Sequence, residues 1–196
     1  MNINEYQNYH ETKAHTSAEF PYNTYLCSIP LDFPGVPLHW HDELELVVIK
    51  RGQGFVSVDF DKRLVHSGDI IIIPPRCLHA IEQDDTFKME YENIIFKPDL
   101  LSSGANDLCM IQYIVPLLDG SLPIEYFLTP ALGSFEALSN CIRQIDLVCA
   151  DQTPGWQLAV KSSLFNFFFL LISERQKKTV STSSNSKSLE KMKTVL

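Results

Sequence analysis

Leu38-His39-Trp40-His41-Asp42-Glu43-Leu44-Glu45 is the stretch on which the fold turns. In an extended chain successive side chains point to opposite faces, so His39, His41 and Glu45 share one face of a strand. Imidazoles and a carboxylate gathered on one inward face are costly in an apolar core unless they are paired, wet or bound to a metal. His79 follows the turn Pro74-Pro75-Arg76, on a segment that can return antiparallel to the first. His39, His41, His79 and Glu45 together suit Fe, Mn, Ni or Zn, with positions left open to water or ligand. The same side chains serve equally well as hydrogen-bonding groups of a polar pocket.

Outward from this stretch, residues 22–96 have a β texture, with short Val-, Ile-, Phe- and Tyr-rich runs between Gly, Pro and Asp turn signals. Residues 44–50 read as one strand, Arg51-Gly52-Gln53-Gly54 as a turn, and 55–60 as a half-buried strand. Residues 64–66, 70–73 and 88–96 continue the series. Many short strands with no helical pattern between them predict a sandwich or barrel rather than a parallel α/β sheet. The preceding segment, residues 1–20, is polar and aperiodic, and reads as an arm able to lie over the mouth of such a barrel.

Past Pro98, which suits the first turn of a helix, the period changes. Phe135, Leu138, Ile142, Ile145 and Cys149 recur at helical spacing, as do Trp156, Val160, Leu164, Phe167, Phe168 and Leu171. Residues 151–155 separate two helices expected to pack antiparallel. The second is apolar nearly all round over residues 164–172, which predicts that Trp156, Val160, Leu164, Phe167, Phe168 and Leu171 form a subunit interface. On that reading Phe168→Asp converts a dimer to a monomer. Beyond Glu174 a Lys-, Ser- and Thr-rich stretch reads as a flexible linker, and Ser188 as the N-cap of a further helix.

Acidic residues outnumber basic ones 24 to 16, a formal charge of -8. No Lys/Arg cluster stands before residue 174, so this piece is not expected to bind nucleic acid tightly by itself. The cysteines, Cys27, Cys77, Cys109, Cys141 and Cys149, include no Cys-x-x-Cys pair and read as buried thiols of a reducing compartment. The N-terminus lacks the basic start and apolar run of a signal peptide. The apolar run at 164–172 is short for a membrane span, so a soluble, cytoplasmic protein is expected.

These motifs resemble the cupins. His39, His41, Glu45 and Gly52 meet the spacings of the first cupin motif, and Gly68, Pro74 and His79 meet those of the second, with Arg76 replacing the motif glycine. The resemblance implies a mainly β fold, a jelly-roll barrel (double-stranded β-helix) followed by an antiparallel helix pair. More narrowly, His39-Trp40-His41 with Glu45, the stretch 74–79, the stretch 94–101 and the helix at 158–172 resemble the ligand-sensing half of AraC-type bacterial transcription regulators. That resemblance implies an arm at 1–20, a barrel at 21–97, a helical dimerisation subdomain at 98–173 and a linker at 174–187. Residues 188–196 would then begin a helix-turn-helix DNA-binding domain.

The implied function is an effector-sensing, dimerising module that controls DNA binding only through that further domain. A small molecule, a sugar among the candidates, would be gripped by His39, His41, Glu45 and His79, with Trp40, Arg76 and Tyr91 nearby. A metal-dependent cupin enzyme, a dioxygenase or isomerase using the same four side chains, is the alternative. An inert dimeric interaction domain is the third reading. Nothing beyond the candidate metal ligands marks a dedicated acid or base, and Glu43, a weak candidate, is expected in solvent.

Overall fold

The β texture of residues 22–96 condenses into strands β1 (Tyr22–Ile29), β2 (Gly35–His39), β3 (Leu44–Val58), β4 (Asp61–His66), β5 (Ile70–Ile73), β6 (His79–Gln83) and β7 (Met89–Phe96). The computed structural model describes residues 3–193 apart from 105, with side chains through Arg175. A short helix α1 (Ile3–Gln7) precedes the strands; α2 (Val115–Leu118) and strand β8 (Phe127–Leu128) follow them. Two further helices, α3 (Phe135–Asp151) and α4 (Trp156–Lys193), close the chain, and a 3-10 turn (Pro98–Leu101) and a π-helical segment (Met110–Ile114) lie between β7 and α2. The chain divides into two compact units, Met1–Leu132 and Gly133–Leu196.

In the first unit one sheet runs β1-β7-β3-β5-β8, and a second is made by β2, β6, β3 and β4, every pairing antiparallel. Strand β3 belongs to both. Its first half pairs with β5 and β7 and its second half with β4 and β6. This is the jelly-roll barrel that the motifs predicted. The turn expected at 51–54 is absent. Hydrogen bonding continues through it, and the chain passes from sheet to sheet at a register shift between Ile49 and Arg51, with Gly52 at φ 78. The reversal comes later, at Asp59 and Phe60, both with positive φ, so Phe60 is 70% exposed instead of lying in a strand.

Inward-facing residues of both sheets, among them Ile29, Val47, Val56, Ile71, Ile81 and Met89, form one apolar cluster. Each such side chain contributes about 1.5–3 kcal/mol on burial. Residues 98–132, grouped with the helices on sequence, fall in the barrel's unit, because β8 adds to the edge of β5 through Ile70↔Leu128 and Ile71↔Phe127. Pro98 opens a 3-10 turn, Pro98–Leu101, whose Leu100 and Leu101 are buried.

In the second unit the helical periods hold. Helix α3 buries Leu138, Cys141, Ile142 and Ile145, and after a left-handed Gln152 the chain turns back into α4. Val160, Leu164, Phe167, Phe168 and Leu171 are buried within the chain itself, at 4% exposure or less. They are therefore core residues, and among the described residues of α4 the exposed apolar side chains are Leu158, Phe165 and Phe169. Trp156 is half-buried. By length and composition Trp156–Arg175 would also suffice to cross a membrane, a property it shares with the core helices of soluble proteins. Cys141 is buried, Cys27, Cys77 and Cys149 are half-buried, and Cys109 is exposed, so burial does not account for all five thiols. Helix α4 runs unbroken through residues 174–187 and past Ser188 to Lys193, in place of the expected flexible linker and newly capped helix; the side chains past Arg175 and residues 194–196 lie outside the described residues.

Candidate functional site

Strands β2 and β6 pair with His39 directly opposite His79, which sets two imidazoles side by side. β2 ends there, yet His41 keeps the inward parity and is 3% exposed, and Glu45 enters on β3 at 2%. Ring centroids lie 4.0 Å apart for His39 and His79, 4.9 Å for His41 and His79, and 5.7 Å for His39 and His41. One nitrogen from each of the three rings lies within 4.8 Å of the others, a group able to hold a metal ion.

Backbone carbonyls orient two of these rings. Nδ1–H of His39 donates to the Pro37 carbonyl and Nδ1–H of His79 to the Cys77 carbonyl, each at 2.9 Å. A carbonyl only accepts, so the proton sits on Nδ1 and the Nε2 lone pair faces the pocket, as in metal-binding histidines. Nε2 of His79 is buried without a hydrogen-bond partner and stands 3.4 Å from Glu45 Oε2. Two acceptors at that distance call for a proton or a cation between them. Glu45 Oε2 also lies 3.0 Å from His41 Nε2. Ligands about 2.1 Å from one ion stand about 3.0 Å apart in an octahedron and about 3.4 Å in a tetrahedron, so both separations fit a shared cation.

The charge pattern agrees. Burial opposes ionisation of Glu45, but the hydrogen bond from His41 outweighs it and holds its carboxyl well below the usual carboxylate range. Burial lowers His39 and favours its neutral, ligating form.

Above this floor is a cavity of about 370 Å³. Its walls are largely apolar, with Phe33, Val36, Ile81 and Ile95 among them, and Tyr91 reaches it from β7. The Tyr91 hydroxyl is buried beside the Cys27 thiol, and burial raises its pKa, which keeps it a proton donor. The arm supplies the roof, through Glu11, Lys13 and His15. Sequence reading missed these three because the arm has no period from which to infer facing. It also missed Tyr25 and Asn93, although strand parity with Tyr91 places Asn93 on the same face, and Tyr25 is its cross-strand partner.

Two residues expected at the ligand are elsewhere. Trp40, between the two inward histidines, points outward and is covered by the arm: Tyr6 and His10 stack on it at 4.8 and 4.2 Å. Its Nε1–H donates to the Tyr6 carbonyl at 2.8 Å. Arg76 takes the φ of 64 that the motif glycine favours, and its side chain, 72% exposed, pairs with Asp42 at 2.7 Å. The turn geometry survives the replacement, but the guanidinium does not reach the cavity. Glu43 is buried, 3.7 Å from His41 Nδ1, and not in solvent.

A family model, the AraC-like ligand binding domain, matches residues 25–168. An uncharacterized HTH-type transcriptional regulator of Bacillus subtilis (strain 168), YdeC, is 32% identical over 159 residues, 81% of this chain and 54% of the relative. A second from the same organism, YbfI, is 26% identical over 72 residues, 37% of this chain and 26% of the relative. The chain thus spans about half the length of the first of them. Among solved structures, a cupin protein from Bacteroides fragilis is 24% identical with a TM-score of 0.38, over 45% of this chain and 80% of that one. A predicted oxalate decarboxylase from Thermotoga maritima is 25% identical with a TM-score of 0.35, over 38% of this chain and 64% of that one.

Proposed function

The chain belongs to the AraC-like ligand-binding domain family, and from that premise we propose that it is the effector-sensing and dimerising part of a cytoplasmic transcription regulator. The observation that carries this reading is the roofed cavity of about 370 Å³, apolar in its walls and floored by His39, His41, His79 and Glu45. A volume of that order admits a small molecule such as a sugar, an organic acid or an amine. An effector that prefers one arrangement of pocket, arm and helices shifts the populations of the whole protein by its differential affinity. DNA would be bound by a helix-turn-helix domain following this chain, as the names of both relatives suggest.

The orphaned Nε2 of His79 supports a resident divalent ion, Zn, Ni, Fe or Mn, held by His39, His41 and His79, with Glu45 beside them as a fourth ligand. Bound there, it would offer open coordination positions to oxygen or nitrogen donors of the effector. The chain's own part is to fix the imidazole tautomers through Pro37 and Cys77, to donate from Tyr91, and to cover part of the mouth with the arm.

Thermal melting against a panel of sugars, organic acids and amines tests the reading. A true effector raises the Tm, because it binds only the folded state. His41→Ala and His79→Ala are each expected to abolish that shift. Retention by both variants places the binding site elsewhere. Consumption of the hit compound, followed by chromatography, would favour the metal-dependent enzyme instead.

For dimerisation, the exposed stripe of α4 replaces the residues expected from sequence. Leu158, Phe165 and Phe169 lie within about 20° of one line along a helix of 3.6 residues per turn. Phe169 is 64% exposed, so Phe169→Asp is expected to halve the mass in light scattering while leaving the melting curve of the helices in place. An unaltered dimer mass would remove this stripe from the interface.

A further inference from the structure

The arm crosses the pocket as a strap fixed at both ends. At one end the Trp40 main chain exchanges hydrogen bonds of 2.9 Å with the arm, its N–H donating to the Tyr9 carbonyl and its carbonyl accepting from Glu11 N–H. The stacking of Tyr6 and His10 on the indole reinforces this. At the other end the His15 carbonyl accepts from Asn23 Nδ2 at 2.9 Å and from the Tyr25 hydroxyl at 3.2 Å.

Between these anchors Glu11 sets Oε2 2.8 Å from His15 Nε2 and 3.5 Å from His39 Nε2. That His39 nitrogen is the one left with its lone pair toward the cavity, since Nδ1 is taken by Pro37. The separation is close to the roughly 3.0–3.4 Å between neighbouring ligands of one first-row ion. On the facing side of the strap, His15 is 8% exposed and its Nδ1 has no hydrogen-bond partner. The strap is therefore built of metal-binding side chains at the point where it meets the histidine group.

From this geometry we propose that Glu11 is a further carboxylate ligand, supplied by the arm, to a divalent cation held by His39, His41 and His79, so that cation binding fastens the strap. The inference rests on the metal reading above. Charge supports it: three neutral imidazoles with Glu45 leave one positive charge on a divalent ion, and Glu11 cancels it. A buried site tolerates a neutral assembly far better than a charged one. The site then has two parts, a rigid floor on the barrel and one ligand on a segment that opens locally.

Co2+ is the probe, because its visible spectrum reports the number and type of its ligands. Trypsin cleavage after the exposed Lys13 reports whether the strap is fastened. In the wild-type chain Co2+ is expected to slow the appearance of the fragment lacking residues 1–13 by tenfold or more. In Glu11→Gln, which keeps a hydrogen-bond acceptor and loses the charge, that protection should vanish, Co2+ affinity should drop at least tenfold and the spectrum should change. Tyr6→Ala loosens the Trp40 anchor without touching the pocket; it should speed cleavage and leave the Co2+ spectrum as in wild type. Equal affinity, spectrum and protection in wild type and Glu11→Gln overturn the role of Glu11 and leave the histidine site standing. Failure of the wild-type chain to bind Co2+ overturns both.

Discussion

Gly52→Ala is expected to lower the stability of the barrel by about 3 kcal/mol or more, read as a large drop in its urea midpoint. Gly52 has φ 78, and a Cβ built on it falls 1.8 Å from the Lys88 carbonyl oxygen and 2.9 Å from its carbon. The obstacle is backbone, so no rotamer change relieves it. Left-handed φ alone costs an alanine about 1–2 kcal/mol. Relieving the overlap means parting β3 from β7 where Gly52 pairs with Met89, at about 0.5–1.5 kcal/mol for each hydrogen bond lost, before any loss of packing at Met89. Against the about 5–15 kcal/mol by which a domain is stable, that is a large share. Gly120→Ala is the control: φ is again 78, but nothing lies within 4 Å of the added carbon, so only the conformational cost remains. Urea midpoints of the two variants should separate widely, and equal midpoints would mean that β3 and β7 part easily at this point.

Phe168→Asp is expected to unfold the helical unit, not to split a dimer. Phe168 is 1% exposed beside Phe167, whose ring meets it edge-on with centroids 5.6 Å apart. Truncating such a ring to alanine costs about 3–5 kcal/mol. A carboxylate in its place adds the cost of burying an unpaired charge, or of taking up a proton to avoid it. The helical circular-dichroism signal should therefore fall and its thermal transition broaden or vanish, while Phe169→Asp one residue later keeps both. A folded, helical monomer from Phe168→Asp would return that residue to the subunit interface.

This pair of phenylalanines shows how far the sequence could be read. Helical period identified the heptad-like row Val160, Leu164, Phe167, Phe168 and Leu171 correctly as one face. It could not say what covers that face, because an interior and an interface have the same composition. Strand parity likewise put His39, His41 and Glu45 together, and the spacing of His79 closed the set, since alternation is a local property of an extended chain. Trp40 obeys the same parity and should have been turned outward on that argument alone. Arg76 illustrates a different gap: its place in the turn was legible, but a long side chain there has two directions, and Asp42 decides between them. The contribution of the arm was invisible, because Glu11 and His15 are aligned by Trp40, Asn23 and Tyr25, partners remote in sequence. The continuity of β3 through Gly52 was hidden for the opposite reason: the glycines that mark a turn also permit a strand to bend.

The placement of Trp40 between His39 and His41 has a thermodynamic corollary. One tripeptide presents two imidazoles to the cavity and an indole to the arm, so occupancy inside and docking outside are two titrations of a single backbone segment. Reciprocity then applies. If a compound in the cavity makes the arm hold tighter by some factor, the arm must make that compound hold tighter by the same factor. The affinity lost on deleting residues 1–20 thus measures the whole coupling between compound and arm, the direct contacts of Glu11, Lys13 and His15 included.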